Sequence, residues 1–200
     1  LCLLKLDSRN AFNEISRYKM LKELKRQVPG LFRFAYRMYG NPAEPGPRLL
    51  FGLKDGRVRV IWSRQGPQQG DPGGPALFAL ALHPALHALQ ARLGQEIYVL
   101  AFSDDIIILV PHGQVKRALL TAKDTLQEEC DLTLQPSKCV VLDSIPGREP
   151  EPEFRQGGQL EQVEWRTVGD GENGGVLVVG SPVGSAEYGV HALQKKEKGP

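Results

Sequence analysis

Asp104 and Asp105 stand side by side inside the otherwise apolar run IYVLAFSDDIIILV, residues 97–110. Two strands joined by a tight turn would carry both acids to a hairpin tip, and Asp is itself a good turn residue. Asp7 ends a second apolar run, LCLLKLD. Carboxylates brought together raise one another's pKa unless a cation intervenes. Acids on neighbouring strand ends suit a hard divalent cation, because Mg²⁺ takes oxygen ligands and binds through one or two carboxylates plus substrate phosphates. Two such ions about 3.5–4 Å apart would activate an attacking hydroxyl and stabilise a leaving oxygen in phosphoryl transfer. The loop QGPQQGDPGGP, residues 65–75, is a third element. Its glycines would let backbone approach a flat substrate closely, and the start of the helix after it would favour phosphate. It lacks the Lys-Ser/Thr pair of a nucleotide P-loop, which excludes that motif. Taken singly, each feature also has a plain reading: the Asp pair as an ordinary turn, the loop as a connector.

The elements that must position these residues follow from periodicity and turn chemistry. Residues 1–7 read as a buried strand. Asn13 would cap a helix in which Ile15, Tyr18, Leu21, Leu24 and Val28 recur at helical spacing, with Arg17, Lys19, Lys22, Lys25 and Arg26 on its other faces. Pro29-Gly30 would stop it. Residues 31–39 predict a second short helix with Leu31, Phe34, Ala35 and Met38 on one side, and the Gly/Pro-rich residues 40–47 a loop. LLFGL, the turn Lys54-Asp55-Gly56 and RVRVIW predict a hairpin with Arg57 and Arg59 on a cationic face. Apolar spacing predicts long helices over about 76–93 and 113–130, the latter with Val115, Ala118, Leu119, Ala122 and Leu126 inward. LTLQPSKCVVL reads as strand, turn, strand. The mixed order of strands and helices, with hairpins, gives an α+β class.

At 200 residues and 22.1 kDa, with 41% hydrophobic and 24% charged residues, the chain can build a packed core, which excludes disorder along its whole length. No apolar stretch is long enough for a transmembrane helix. The net charge of +2 conceals an asymmetry: residues 1–66 carry +9 and residues 67–200 carry −7. The basic part suggests a polyanionic partner, although a solvated basic face is an equally simple reading. Three cysteines, Cys2, Cys130 and Cys139, fit no zinc spacing and read as reduced, mostly buried thiols of an intracellular protein, nuclear or cytoplasmic. The chain opens on an interior strand without Met, which leads to the expectation that it starts inside a larger protein.

Three segments in order, KLDSRNAFN at 5–13, QGDP at 69–72 and AFSDD at 101–105, together resemble motifs A, B and C of a reverse transcriptase palm. LQPSKC at 134–139 is similar to motif D, and VGSP at 179–182 to motif E, the primer grip. The style of the motif B stretch looks like eukaryotic retrotransposon enzymes of the non-LTR type rather than retroviral ones.

The resemblance implies a polymerase palm: an antiparallel sheet packed on helices, with a catalytic Asp-Asp hairpin and with the fingers missing. It implies an RNA-directed DNA polymerase that adds deoxynucleotides to a primer 3′-hydroxyl with two Mg²⁺ (or Mn²⁺) ions. Asp7, Asp104 and Asp105 would be the catalytic, metal-binding carboxylates. Phe12 would be the gate against a ribose 2′-hydroxyl, Gln69 and Gly70 would pack on the incoming nucleotide and template base, and Lys138 would lie near the triphosphate. Gly180 and Ser181 would support the primer end. The implied partners are an RNA template, a DNA primer, deoxynucleoside triphosphates and the remaining domains of the same polyprotein, with no membrane. On this reading residues 1–142 are the palm core, 143–175 a flexible acidic Pro/Gly-rich insertion, 176–190 the primer grip and 191–200 a polar tail.

Position 103 is Ser where a larger or apolar residue is common, and position 102 is Phe where Tyr is usual. Gly73 and Ala76 stand where Leu is common, which would remove apolar volume beside the nucleotide site and hint at a decayed copy. The alternatives are a degenerate or domesticated palm that at most binds nucleic acid, and a group II intron-type reverse transcriptase. A viral RNA polymerase is disfavoured by Ser103 and Phe12, which stand where Gly and Asp are usual. Without fingers, the 200 residues are expected to be inactive alone.

Overall fold

A computed structural model describes residues 1–40 and 48–197. The loop expected over 40–47 falls almost wholly outside them, as does the end of the polar tail. The chain divides into two compact units. The first comprises Leu1–Arg9, Leu86–Thr125 and Thr133–Pro200, and the second Asn10–Ala85 and Leu126–Leu132.

The first unit is built on a five-stranded sheet of order β4-β5-β1-β6-β7, from β1 (Cys2–Leu6), β4 (Tyr98–Phe102), β5 (Asp105–Val110), β6 (Val140–Asp143) and β7 (Glu164–Thr167). All neighbours are antiparallel except β6 and β7. In β1, Cys2, Leu4 and Leu6 are buried while Leu3 and Lys5 are half-buried, the period-2 alternation of a strand with one core face. Leu4 pairs with Ile108 and Leu6 with Ile106, so the same face continues into β5. The C-terminal part of α4 (Gly74–Leu93) and most of α5 (Val115–Cys130) belong to this unit. The Gln90 amide ties α4 to the sheet edge, donating to the Ile97 carbonyl at 2.7 Å and accepting from the Val99 N–H at 3.0 Å. Arg92 Nη1 donates to Thr125 Oγ1 at 2.9 Å between the two helices. A second hairpin, β8 (Gly175–Val178) and β9 (Ser181–Gly184), leads into α6 (Ala186–Glu197).

In residues 143–175, which composition reads as a flexible acidic insertion, Glu151, Phe154, Leu160 and Val163 are buried, and β7 extends the sheet. Glu151 accepts from the N–H groups of Gly113, Val115 and Lys116 at 2.8–3.2 Å. A carboxylate from a distant segment thus caps the N-terminus of α5, where orphan donors and the helix dipole favour an anion. Its composition hid this, because a few anchors suffice to order a polar segment.

The second unit holds α1 (Ala11–Glu14), α2 (Arg17–Gln27), α3 (Pro29–Tyr39), the hairpin β2 (Arg48–Gly52) and β3 (Val58–Trp62), and the start of α4. The cap of α2 is Ser16, not Asn13: its hydroxyl accepts from the Lys19 N–H. The buried seam of α2 is Arg17, Met20 and Leu24, rotated from the predicted stripe, and Tyr18 lies 71% exposed. On α3, Ala35 and Tyr39 are buried while Leu31, Phe34 and Met38 are exposed. The predicted hairpin is present, with Arg48 opposite Trp62 and Gly52 opposite Val58, and every residue of both strands is exposed. Positions 73 and 76 are exposed too, so Gly and Ala there leave no core void, and Leu77, Phe78, Ala81 and Leu82 supply the packing of α4.

Candidate active site

Within the first unit, register decides which acids meet. Leu6 pairs with Ile106, and the next residues outward are Asp7 on one strand and Asp105 on the other. Residues two apart on a strand share a face, so Asp7 lies on the Lys5 side of the sheet and Asp105 faces the same way. Lys5 Nζ indeed lies 3.1 Å from Asp105 Oδ1. The remaining Asp105 oxygen, Oδ2, accepts from the Val179 N–H at 3.2 Å, and Lys5 also donates to the Leu177 carbonyl at 2.8 Å. Asp105 and Lys5 therefore fasten the β8–β9 hairpin to the sheet.

Asp104 occupies the exposed two-residue turn with Ser103 between β4 and β5. Ser103 has φ 56°, a left-handed value that costs a non-glycine residue energy. The β8–β9 turn has positive φ at both positions, Val179 (50°) and Gly180 (76°), the pattern of a type I′ hairpin turn. Ser181 opens β9.

Asp7 is half-buried. Its carbonyl accepts from the Gln135 N–H at 2.8 Å, and its own N–H donates to Cys139 Sγ at 3.4 Å. Between those two partners lies the 3₁₀ turn Pro136–Lys138, so the motif D segment is pinned to the backbone of Asp7. Lys138 is exposed there. Burial, opposed by that N–H and assisted by the Asp7 charge, pushes the Cys139 thiol up.

Among the described residues the carboxylates of Asp7 and Asp104 have no hydrogen bond or ion pair, and no three His, Cys, Asp or Glu side chains gather in a group that could hold a metal. Two unpartnered carboxylates match the donor chemistry of a hard cation that completes its shell with water and substrate phosphate. The Asp105 carboxylate, beside them, is engaged by Lys5 and the Val179 N–H.

The second unit places Phe12, Gln69 and Gly70. Phe12 is half-buried and stacks on Phe78 of α4, ring centroids 5.6 Å apart. Gln69 and Gly70 are exposed, with φ 89° at Gly70. The glycines of this loop serve internal packing as well as any substrate: a Cβ on Gly66 would come within 2.2 Å of the Phe12 carbonyl oxygen, and the Gly66 N–H donates to the Ile15 carbonyl at 2.9 Å.

Sequence reasoning missed what holds the loop. Arg17, which periodicity puts off the apolar stripe of its helix, is 7% exposed. Its guanidinium donates to the Gly66 carbonyl at 2.7 Å, to Ser63 Oγ at 2.6 Å, and to the carbonyls of Ser63 and Gln65. It also lies 5.1 Å from the centre of the Tyr39 ring. The Tyr39 hydroxyl donates to Asp71 Oδ2 and accepts from the Gln68 N–H at 3.2 Å. Asp71 Oδ1 accepts from the Gly73 N–H at 2.8 Å. The anion at the start of α4 is thus the chain's own Asp71. Burial pushes the Tyr39 hydroxyl up, and Asp71 adds to the rise. No spacing rule would have paired Arg17 with residues 63–66.

A family model described as reverse transcriptase (RNA-dependent DNA polymerase) matches residues 1–168. The chain belongs to the reverse transcriptase family. It is 30% identical over 146 residues to the retrovirus-related Pol polyprotein from type-1 retrotransposable element R2 of Nasonia vitripennis, a match covering 70% of this chain and 14% of the relative. That similarity puts the reverse transcriptase domain among the non-LTR type. Two solved structures share the fold. Apo telomerase from Candida tropicalis, truncated of its C-terminal domain, aligns with a TM-score of 0.54 at 14% identity, over 76% of this chain and 32% of its own. Telomerase from Candida albicans, in complex with a TWJ fragment of telomeric RNA, aligns with a TM-score of 0.60 at 10% identity, over 93% of this chain and 30% of its own. The chain therefore spans a third or less of the length of each of these proteins. The α+β, palm-like class expected of it is the observed one.

Proposed function

We propose that the chain is the palm of an RNA-directed DNA polymerase that extends a DNA primer on an RNA template by nucleotidyl transfer. The observation that carries this reading is the pair of carboxylates, Asp7 and Asp104, that have no partner among the described residues and stand on the adjoining ends of β1 and the β4–β5 hairpin. In the reaction the primer 3′-hydroxyl attacks the α-phosphate of a deoxynucleoside triphosphate and pyrophosphate leaves. Bound divalent cations, two Mg²⁺ or Mn²⁺ by the family resemblance, supply activation of the hydroxyl and neutralisation of phosphate charge. Asp7 and Asp104, with Asp105 beside them, are the residues that would hold them. Lys5 neutralises Asp105, which lowers the repulsion Asp105 exerts on Asp7. Asp105 in turn orients the β8–β9 hairpin through the Val179 N–H, so that Gly180 and Ser181 support the primer end. By the family resemblance Lys138 binds the triphosphate and protonates the leaving pyrophosphate. In the second unit Phe12 excludes a ribose 2′-hydroxyl, and Gln69 and Gly70 contact the nucleotide and template base. Three free, buried cysteines agree with an intracellular setting, and no described helix is long and apolar enough to cross a membrane.

Asp104→Asn in the whole protein is expected to abolish Mg²⁺-dependent primer extension while template binding is kept. Retained extension refutes the assignment. The 200 residues alone are expected to bind nucleic acid without extending a primer. A second reading, a palm that binds nucleic acid and does no chemistry, is favoured by the engagement of Asp105 with Lys5, and the same assay on the unsubstituted whole protein decides it.

A further inference from the structure

Within the second unit, Gln69 and Gly70 are the two central residues of a β-turn. The Asp71 N–H closes it on the Gln68 carbonyl at 3.1 Å. The φ of 89° at Gly70 is the left-handed value that the third residue of a type II turn requires. Both corners of this turn bond to one group, the Tyr39 hydroxyl, which accepts from the Gln68 N–H at 3.2 Å and donates to Asp71 Oδ2. We infer that Tyr39 is a positioning residue for the incoming deoxynucleoside triphosphate: it clamps the turn, so that Gln69 and Gly70 meet the nucleotide in one conformation. The inference rests on the polymerase reading above and adds to it a residue that lies in none of the five motifs.

The clamp has a rigid base. Tyr39 is the last residue of α3 and is 2% exposed, whereas Gln69 and Gly70 are exposed. The Arg17 guanidinium, 5.1 Å from the ring centre, is itself bonded to Ser63, Gln65 and Gly66. A cation against an aromatic ring stabilises most where both are desolvated, as they are here. Burial raises the pKa of the Tyr39 hydroxyl, with Asp71 adding to it, so the hydroxyl keeps the proton it donates. The other Asp71 oxygen accepts from the Gly73 N–H at 2.8 Å, and the Asp71 carbonyl accepts from the Gly74 N–H at 2.9 Å. The clamped turn is thereby continuous with the start of α4.

The tip of the turn has no such support of its own. Among the described residues nothing lies within 4 Å of where a Cβ on Gly70 would stand. Glycine is also the residue with most backbone freedom to lose. Only the two corners restrain the tip, and one hydroxyl holds both. Ordering a free turn at the moment of binding costs conformational entropy, and a turn ordered beforehand escapes that cost. The hydroxyl bonds to neither Asp7 nor Asp104. Its removal therefore weakens nucleotide binding and leaves the chemical step intact, which reads as a higher KM with kcat retained.

The test is steady-state primer extension by the whole protein, with kcat and KM for the deoxynucleoside triphosphate that pairs with the template. Tyr39→Phe deletes the hydroxyl and keeps the buried ring. It is expected to raise KM about tenfold, the size of one lost hydrogen bond to a charged group, with kcat and template–primer affinity within about threefold of the parent. Asp71→Ala is expected to raise KM as well. The double variant is expected to raise it by less than the product of the two single effects, because the Tyr39–Asp71 bond is lost only once. Hydrogen exchange of the whole protein is a readout that needs no turnover: Tyr39→Phe is expected to speed exchange across residues 68–71 and leave residues 98–110 unchanged. A folded Tyr39→Phe with the parent's KM, whatever its melting temperature, overturns the inference and leaves the hydroxyl a structural group. Single effects that multiply, or unchanged exchange across the turn, overturn the clamp. A parent protein that extends no primer overturns the polymerase reading and this inference with it, whereas failure of the Tyr39→Phe arm alone leaves that reading standing.

Discussion

Arg17 shows how one residue can decide a loop. A buried guanidinium is stable only with its donors satisfied, and here three carbonyls and one hydroxyl of residues 63–66 do so. Arg17→Lys is expected to destabilise the protein by about 3 kcal/mol in urea unfolding, because an ammonium cannot fill the planar fork and several carbonyls lose their donor. A change below about 1 kcal/mol would show that the contacts contribute little. The cysteines give a residue-scale pH prediction. Burial, with Asp143 adding to it at Cys2, pushes the Cys2 and Cys130 thiols from 9.0 up to about 12. Both folded pKa values lie above the unfolded ones. Their contribution to stability is therefore complete below pH 9 and lost as the pH rises from there towards 12. Thiol-specific labelling of the native protein at pH 8 is expected to be slow at all three cysteines and fast in denaturant. Rapid native labelling of Cys2 or Cys130 would contradict the burial.

At the scale of elements, distant segments finish what local sequence leaves open. α5 has no acidic residue in its first turn, and its cap comes from Glu151. Glu151→Ala is expected to cost about 2 kcal/mol, since it orphans buried N–H groups and removes an anion from the helix N-terminus. Glu151→Gln, which keeps an acceptor, is expected to cost less. Thermal or urea melts of the two variants measure the difference, and equal stabilities with the parent would remove the carboxylate from this role. The β4–β5 and β8–β9 hairpins make the same point about function. Their turns alone explain neither site, but the contact of Lys5 and Asp105 with residues 177–179 joins them.

At the scale of the whole molecule, charge is the property with a direct readout. Part of the +9 of residues 1–66 is spent internally: Arg17 is buried, Lys19 pairs with Asp131, Arg26 with Glu23 and Arg57 with Asp55. Lys22, Arg33, Arg37, Arg59 and Arg64 remain exposed. If about four of these meet phosphates, the affinity for single strands falls with log salt at a slope of about −3. Gel-shift titrations across salt concentrations measure this, and a flat response would take the basic surface out of nucleic-acid binding.

Some of this was legible in the order of residues alone. The period-2 burial of LCLLKL, the helical stripe of α5, the Lys54-Asp55-Gly56 turn and the five ordered motifs are local patterns, set by backbone geometry and short-range side-chain spacing. They determined the strands, the hairpins, the family and the placing of Asp104 in a tight turn. Tertiary structure alone decided which face of α2 is buried, that Arg17 and Tyr39 support the loop of residues 63–69, that Glu151 caps α5, and that Lys5 takes Asp105 while Asp7 and Asp104 stay open. These are pairings between residues tens to a hundred positions apart. Spacing rules reach only neighbours along the chain, whereas a buried donor or charge takes whichever partner folding brings within hydrogen-bond reach.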